Sequence, residues 1–225
     1  MAQQTVTLIK ICGLTRPEDA HFAERVGASF LGVILASGPR LLDVDRARDV
    51  LGPRRHGVRR VAVFGKQSVE ELLRIGDALD LDALQLHGDP SAADVHRLRR
   101  LTTRAIWPVR RVHATSLPDG TTELAAAAGT LVLDAHVVGQ LGGTGVVLDW
   151  TSLADSVAAL RVVVPDLQLV LAGGLRSVNV AEAIALLDPD VVDVSSGVET
   201  APGVKDPLAI ERFVSAVVAA RGTRR

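Results

Sequence analysis

A few short stretches of this chain carry residue types able to do chemistry. In Leu8-Ile9-Lys10-Ile11-Cys12-Gly13, an apolar run, Lys10 and Cys12 share a face and Cys12 stands at the end. A free cysteine there is either a small buried hydrophobe or a reactive thiol. A lysine inside a sheet must find an anion. Asp193 is the counter-ion expected for a structural pair, and a Schiff-base lysine is the alternative. Leu131-Val132-Leu133-Asp134 ends in a carboxylate, placed either as a general acid or as a cap. Gln85 and His87 of Gln85-Leu86-His87-Gly88 face the same way, with His87 suited to a hydrogen bond at a rim. Arg40, in Ser37-Gly38-Pro39-Arg40, is either a surface residue or a fork for a substrate carboxylate.

Two further stretches suit an anion. Apolar runs end in Gly173-Gly174 and in Ser195-Ser196-Gly197. Glycine lets backbone approach a ligand without a Cβ in the way, and a helix starting just beyond presents unpaired N–H groups. Two such loops in tandem are what a phosphate needs. Between them and Asp134 lies Gly142-Gly143-Thr144-Gly145, a polar loop able to close over a ligand. His87 has no companion His, Asp or Glu at metal-ligand spacing, so no metal site is expected.

The elements that must position these residues alternate along the chain. Strands are expected at 7–12, 30–35, 59–64, 82–87, 104–109, 130–134, 168–172 and 191–195. Helical patterns lie between them at 17–27, 44–51, 68–79, 91–101, 119–128, 177–187 and 207–220. Thr15, Ser68, Ser91 and Ser177 are the expected caps. The longest loop runs from about 135 to 149, and loops of that length are usually functional. Continuous apolar strands alternating with helices imply a parallel sheet covered on both faces. Eight such units without a linker favour a single (βα)8 TIM barrel domain over 1–225, an α/β fold with a closed eight-stranded parallel sheet. The C-terminal strand ends, where every residue above falls, are where such barrels place chemistry. No GxGxxG follows the first strand, so a dinucleotide fold has no support.

Bulk properties narrow the partners. The chain has 225 residues, 48% of them hydrophobic, and a net charge of −1, which gives no reason to expect nucleic acid or an anionic membrane. A single cysteine rules out an intrachain disulfide and fits a reducing cytoplasm. The N-terminus lacks a signal-peptide pattern, and no apolar run spans a membrane. A phosphorylated small molecule is the expected partner.

Taken together and in order, the motifs resemble phosphoribosylanthranilate isomerase of tryptophan biosynthesis. Lys10-Ile11-Cys12-Gly13-Leu14-Thr15 is similar to that family's opening signature. Gln85–Gly88, Gly142–Gly145 with Asp149-Trp150, Ala172–Leu175, Val192–Glu199 and Gly203–Asp206 match its later motifs. The resemblance implies a cofactor-free barrel catalysing an Amadori rearrangement of N-(5-phosphoribosyl)anthranilate to 1-(2-carboxyphenylamino)-1-deoxyribulose 5-phosphate. It implies Cys12 as general base, Asp134 as general acid and Arg40 on the anthranilate carboxylate. His87 and Gly143 would contact substrate, and Gly173, Gly174, Ser195, Ser196 and Gly197 would grip its phosphate. The loops Leu35–Arg40 and Val63–Lys66 depart from the family's usual wording. The resemblance leaves monomer and homodimer equally open.

Rival readings share the scaffold. A histidine-pathway or dual-substrate isomerase resembles a two-aspartate arrangement, whereas the first strand here offers Cys12. An indole-glycerol-phosphate synthase would use Lys10 as catalyst. A non-catalytic phosphometabolite-binding barrel would keep the phosphate loops without needing Cys12 and Asp134.

Overall fold

Continuous apolar strands alternating with helices suit parallel neighbours joined by helical crossovers. The computed structural model describes residues 6–112, 116–134 and 150–221. Its strands are β1 (Leu8–Ile11), β2 (Phe30–Ile34), β3 (Arg59–Phe64), β4 (Ala83–Leu86), β5 (Ala105–Arg111), β6 (Thr130–Asp134), β7 (Gln168–Ala172) and β8 (Val191–Val194). They pair in chain order and β8 returns to β1, closing the expected barrel. Around it lie α1 (Pro17–Arg25), α2 (Val44–Leu51), α3 (Val69–Ala78), α4 (Ala92–Arg99), α5 (Thr121–Ala128), α6 (Trp150–Val163), α7 (Val180–Leu187) and α8 (Pro207–Arg221).

The two-residue period of each strand divides its side chains between two cores. One phase, including Ile9, Ile11, Leu31, Val33, Leu131, Leu133, Leu169 and Leu171, packs outward under the helices. The other phase fills the barrel with Phe30, Val61, Ala83, Trp107, Val109, Val132, Val170 and Val191. Phe30 and Trp107 meet edge to face with ring centroids 4.9 Å apart. Arg59, first residue of β3, lies over the Phe30 ring at the N-terminal end. That end is a plug of rings and aliphatics, which leaves the C-terminal end for polar groups.

Local signals hold at two helix starts and fail at two. Ser68 and Ser91 each form a full capping box, with Glu71 and Asp94. Thr15 does not cap α1; Arg16 precedes that helix and grips Asp19, while the Thr15 hydroxyl donates to the Gly203 carbonyl. Ser177 does not cap α7, which starts later than expected, at Val180 after Asn179. There the Asn179 side chain accepts from Arg176 N–H and donates to the Gly174 carbonyl. An additional hairpin, β9 (Glu199–Ala201) with β10 (Val204–Lys205), follows β8. Its Pro202-Gly203 turn was a legible signal. Gly143 and the loop expected at 135–149 lie outside the described residues.

Candidate active site

Every strand-borne candidate falls on the inward phase at the C-terminal end. Register makes the pairs: β1 against β8 sets Lys10 beside Asp193, and β5 against β6 sets Arg111 beside Asp134. Cys12 follows β1 directly, its N–H donating to the Val194 carbonyl at 2.8 Å. The thiol is 6% exposed, and a Cβ on Gly32 of the neighbouring strand would stand 3.1 Å from its sulfur. The smallest side chain therefore sits where the thiol needs room. Cys12 and Asp134 stand at the ends of β1 and β6, at the same mouth.

The expected Lys10–Asp193 pair is present, Nζ to Oδ2 at 2.7 Å, with both groups buried. Burial alone would push the Lys10 ammonium down, but Asp193 outweighs it and the net shift is upward, so Lys10 stays charged at neutral pH. Burial likewise pushes the Cys12 thiol up, and the opposing pull of Lys10 does not overcome it. Without substrate, Lys10 therefore does not by itself favour the thiolate.

Beyond Cys12 lies an ion cluster that joins Arg40 to Glu199 and Lys205, two residues to which the expectations give no role. Lys205 of β10 is fully buried and its ammonium donates to the carbonyls of Cys12 and Ser195 and to Glu199 Oε1, the last at 2.8 Å. Glu199 also accepts a two-pronged bond from Arg40, Nε to Oε1 at 2.7 Å and Nη2 to Oε2. Burial would raise the Glu199 carboxyl, but Arg40 and Lys205 together hold it below its ordinary range. Lys205 itself is pushed down by burial despite Glu199. Arg40 is thus no loose surface residue. Its fork is held at the mouth by an internal carboxylate, with its Cδ only 2.5 Å from where a Cβ on Gly13 would stand.

The opposite side of the mouth is wetter. The Asp134 carboxylate, 21% exposed, meets His87 Nε2 at 3.3 Å, and Arg111 Nη2 meets His87 Nδ1 at 2.7 Å. The rim hydrogen bond expected of His87 is therefore made to Asp134. Gln85 is buried below it, with Oε1 lacking a partner among the described residues.

The two glycine loops behave partly as expected. Gly173 and Gly174 both adopt positive φ, 91° and 66°, a region L side chains rarely visit. Gly197 lies against the Leu175 carbonyl with no room for a Cβ, so the two loops touch. Among the described residues the Ser195 hydroxyl is buried without a partner, while Ser196 is exposed. Neither loop runs straight into an α-helix, however. α7 begins six residues after Gly174, and Ser196–Val198 is a single 3₁₀ turn. The argument from helix N-termini is corrected accordingly: backbone shape and Ser195 remain as its basis. Among the described residues no group of three His, Cys, Asp or Glu could hold a metal ion, and no helix is long and apolar enough to cross a membrane.

A family model described as N-(5'-phosphoribosyl)anthranilate (PRA) isomerase matches residues 9–216. The chain belongs to that family. It is 40% identical over 210 residues to the N-(5'-phosphoribosyl)anthranilate isomerase of Pseudomonas paraeruginosa, covering 93% of this chain and 94% of the relative. The isomerase of Rubrobacter xylanophilus is 40% identical over 209 residues, covering 92% and 97%. Among solved structures, phosphoribosylanthranilate isomerase from Thermotoga maritima superposes with a TM-score of 0.81 at 30% identity, covering 95% of this chain and 99% of that one. A phosphoribosylanthranilate isomerase in complex with reduced 1-(o-carboxyphenylamino)-1-deoxyribulose 5-phosphate gives 0.78 at 28% identity, with the same coverage.

Against the phosphoribosylanthranilate isomerase pattern, the structure brings Cys12, Arg40, Ser195 and the glycine loops to one side of the mouth, and His87 and Asp134 to the other. Glu199, Lys205 and Arg111 were the residues missed. A buried lysine so near the end of the chain has no periodic signal, and only the hairpin carries Lys205 back to Cys12. The strand-eight tail and that hairpin are therefore parts of the Cys12 side of the mouth.

Proposed function

We propose that Cys12 and Asp134 act as base and acid in the isomerisation this family performs, and that the chain is an enzyme of tryptophan biosynthesis working without a cofactor. The single observation that carries the assignment is their placement on the inward phase at the same mouth of the barrel, with the phosphate loops on the β7–β8 rim. In this reading Asp134 protonates the furanose oxygen of N-(5-phosphoribosyl)anthranilate, the C1–O bond breaks and the anilino nitrogen becomes a cationic Schiff base. Cys12 then takes the proton from C2 to leave an enolamine, which tautomerises to the aminoketose. The thiol is protonated at neutral pH for the reason given above. A cationic Schiff base beside it favours the thiolate, so the thiol gives its proton to solvent before it takes the one from C2.

Arg40 receives the anthranilate carboxylate on its Nη1 edge, since Nε and Nη2 are held by Glu199. The family relative in complex with the reduced aminoketose phosphate supports a phosphate seat here. We assign it to Gly173, Gly174, Ser195, Ser196 and Gly197, where the Ser195 hydroxyl supplies an unused donor. We also read Gly143 as a substrate contact, the chain as one barrel domain, its location as the cytoplasm, and its state as monomer or homodimer; a Thermotoga maritima relative is described as dimeric.

Loss of phosphoribosylanthranilate fluorescence, run beside the histidine-pathway analogue, tests the reading. Rapid turnover of the first and none of the second is expected. Turnover confined to the second overturns it.

A further inference from the structure

Arg111 is the last residue of β5 and lies on the inward phase, with its Cα beside that of Asp134 in the sheet. Its side chain nevertheless turns to β4. Nη2 lies 2.7 Å from His87 Nδ1 and 3.2 Å from the His87 carbonyl oxygen, and Nη1 lies 3.6 Å from Asp89. A guanidinium has donors only, so Nδ1 must present its lone pair. The neutral ring then carries its proton on Nε2, the atom 3.3 Å from Asp134 Oδ2. The other tautomer would turn a lone pair on the carboxylate and leave Asp134 without this donor.

We propose that Arg111 is a positioning residue: it locks His87 as the Nε2–H tautomer, so that a donor holds the Asp134 carboxyl in the orientation from which it meets the substrate. The proposal rests on Asp134 as general acid. Asp134 on β6 and Arg111 on β5 are the charged groups that meet the His87 ring nitrogens among the contacts of the described residues, with Asp89 beyond Arg111, and only Arg111 meets Nδ1. The arrangement works through geometry alone. Backbone bonds hold its ends, the His87 N–H donating to Phe64 and the Val112 N–H to Asp134.

Two readouts test this on the full-length protein. A two-bond ¹H–¹⁵N spectrum of histidine-labelled enzyme, with His87 assigned by comparison with His87→Ala, reads the tautomer directly. The wild type should show Nε2–H, Arg111→Ala a mixture, and Arg111→Lys a return toward Nε2–H. In turnover of phosphoribosylanthranilate, Arg111→Ala should lower kcat about tenfold with KM within about twofold, because an interaction of the acid rather than of substrate binding is lost. The double variant with His87→Ala should lose no more than His87→Ala alone. A wild-type Nδ1–H spectrum, an unchanged kcat, or additive losses would overturn the proposal. Full turnover by Asp134→Asn would instead overturn the acid assignment, while the tautomer spectra would still report on Arg111.

Discussion

The two halves of the barrel mouth are built on opposite physical principles. Around β8 and β1, Lys10, Asp193, Lys205 and Glu199 are packed out of water in ion pairs, with Cys12 among them. Around β4, β5 and β6, His87, Arg111 and Asp134 are each 20–40% exposed and joined by directional hydrogen bonds. In the first half, desolvation and net charge decide which groups carry protons. In the second, donor and acceptor geometry decides where a proton can be offered. An acid–base pair gains from this division, since a group that must gain a negative charge late and one that must deliver a proton early need different surroundings.

The largest effects should come from the two residues facing each other across that division. Asp134→Asn and Cys12→Ser should each lower kcat by about 10²–10⁴-fold, the usual worth of one positioned acid or base. Thermal melting should be nearly unchanged for both. Native turnover by either variant would remove it from the chemistry. Next in size is a stability effect confined to the dry half. Lys10→Met leaves Asp193 buried without its cation, which should cost about 3–5 kcal/mol. For a chain of this length that lowers the melting temperature by roughly 6–20 °C. Arg111→Ala, in the wetter half, should change stability by no more than about 1 kcal/mol. Equal melting of the two variants would erase the contrast between the halves.

How far the sequence could be read follows the same division. The eight strands, the closed barrel, Lys10 with Asp193, and the shared mouth of Cys12 and Asp134 follow from periodicity and strand order, which are local signals that a parallel barrel turns into geometry. The Glu199–Lys205–Arg40 cluster does not, because it joins residues 159 positions apart through a hairpin whose only cue is Pro202-Gly203. Ser177 failed as a cap for a related reason: Asn179 was free to satisfy the loop instead, tying Arg176 to Gly174. The relay from Arg111 to Asp134 depends on which way one long side chain turns. Register alone would have paired Arg111 with Asp134 directly.

Acid titration sharpens the comparison at smaller scale. The Glu199 carboxyl is held below its ordinary value of 4.5 in the folded protein, with Arg40 and Lys205 outweighing the upward push of burial. A depressed carboxylate contributes stability that is fully present above the unfolded value and is lost as pH falls through the folded one. Glu199→Gln should therefore cost about 2 kcal/mol at neutral pH, the scale of hydrogen bonds to charged groups. Urea unfolding of wild type and variant should converge below pH 4.5. A gap that stays constant into acid would mean the cluster is held by shape rather than charge.

Ser195→Ala should produce the smallest stability change and the most discriminating sign. Among the described residues the Ser195 hydroxyl is buried without a partner. Removing an unsatisfied buried polar group is neutral or slightly stabilising, so melting should hold steady or rise. If that hydroxyl is instead reserved for the substrate phosphate, KM should rise about tenfold, the worth of one hydrogen bond to a charged group, with kcat much less affected. A gain in stability beside a loss in affinity marks a residue kept for its ligand. A loss of stability with unchanged KM would make Ser195 a packing residue, and would leave the proposed phosphate seat to the backbone of Gly173, Gly174 and Gly197 alone.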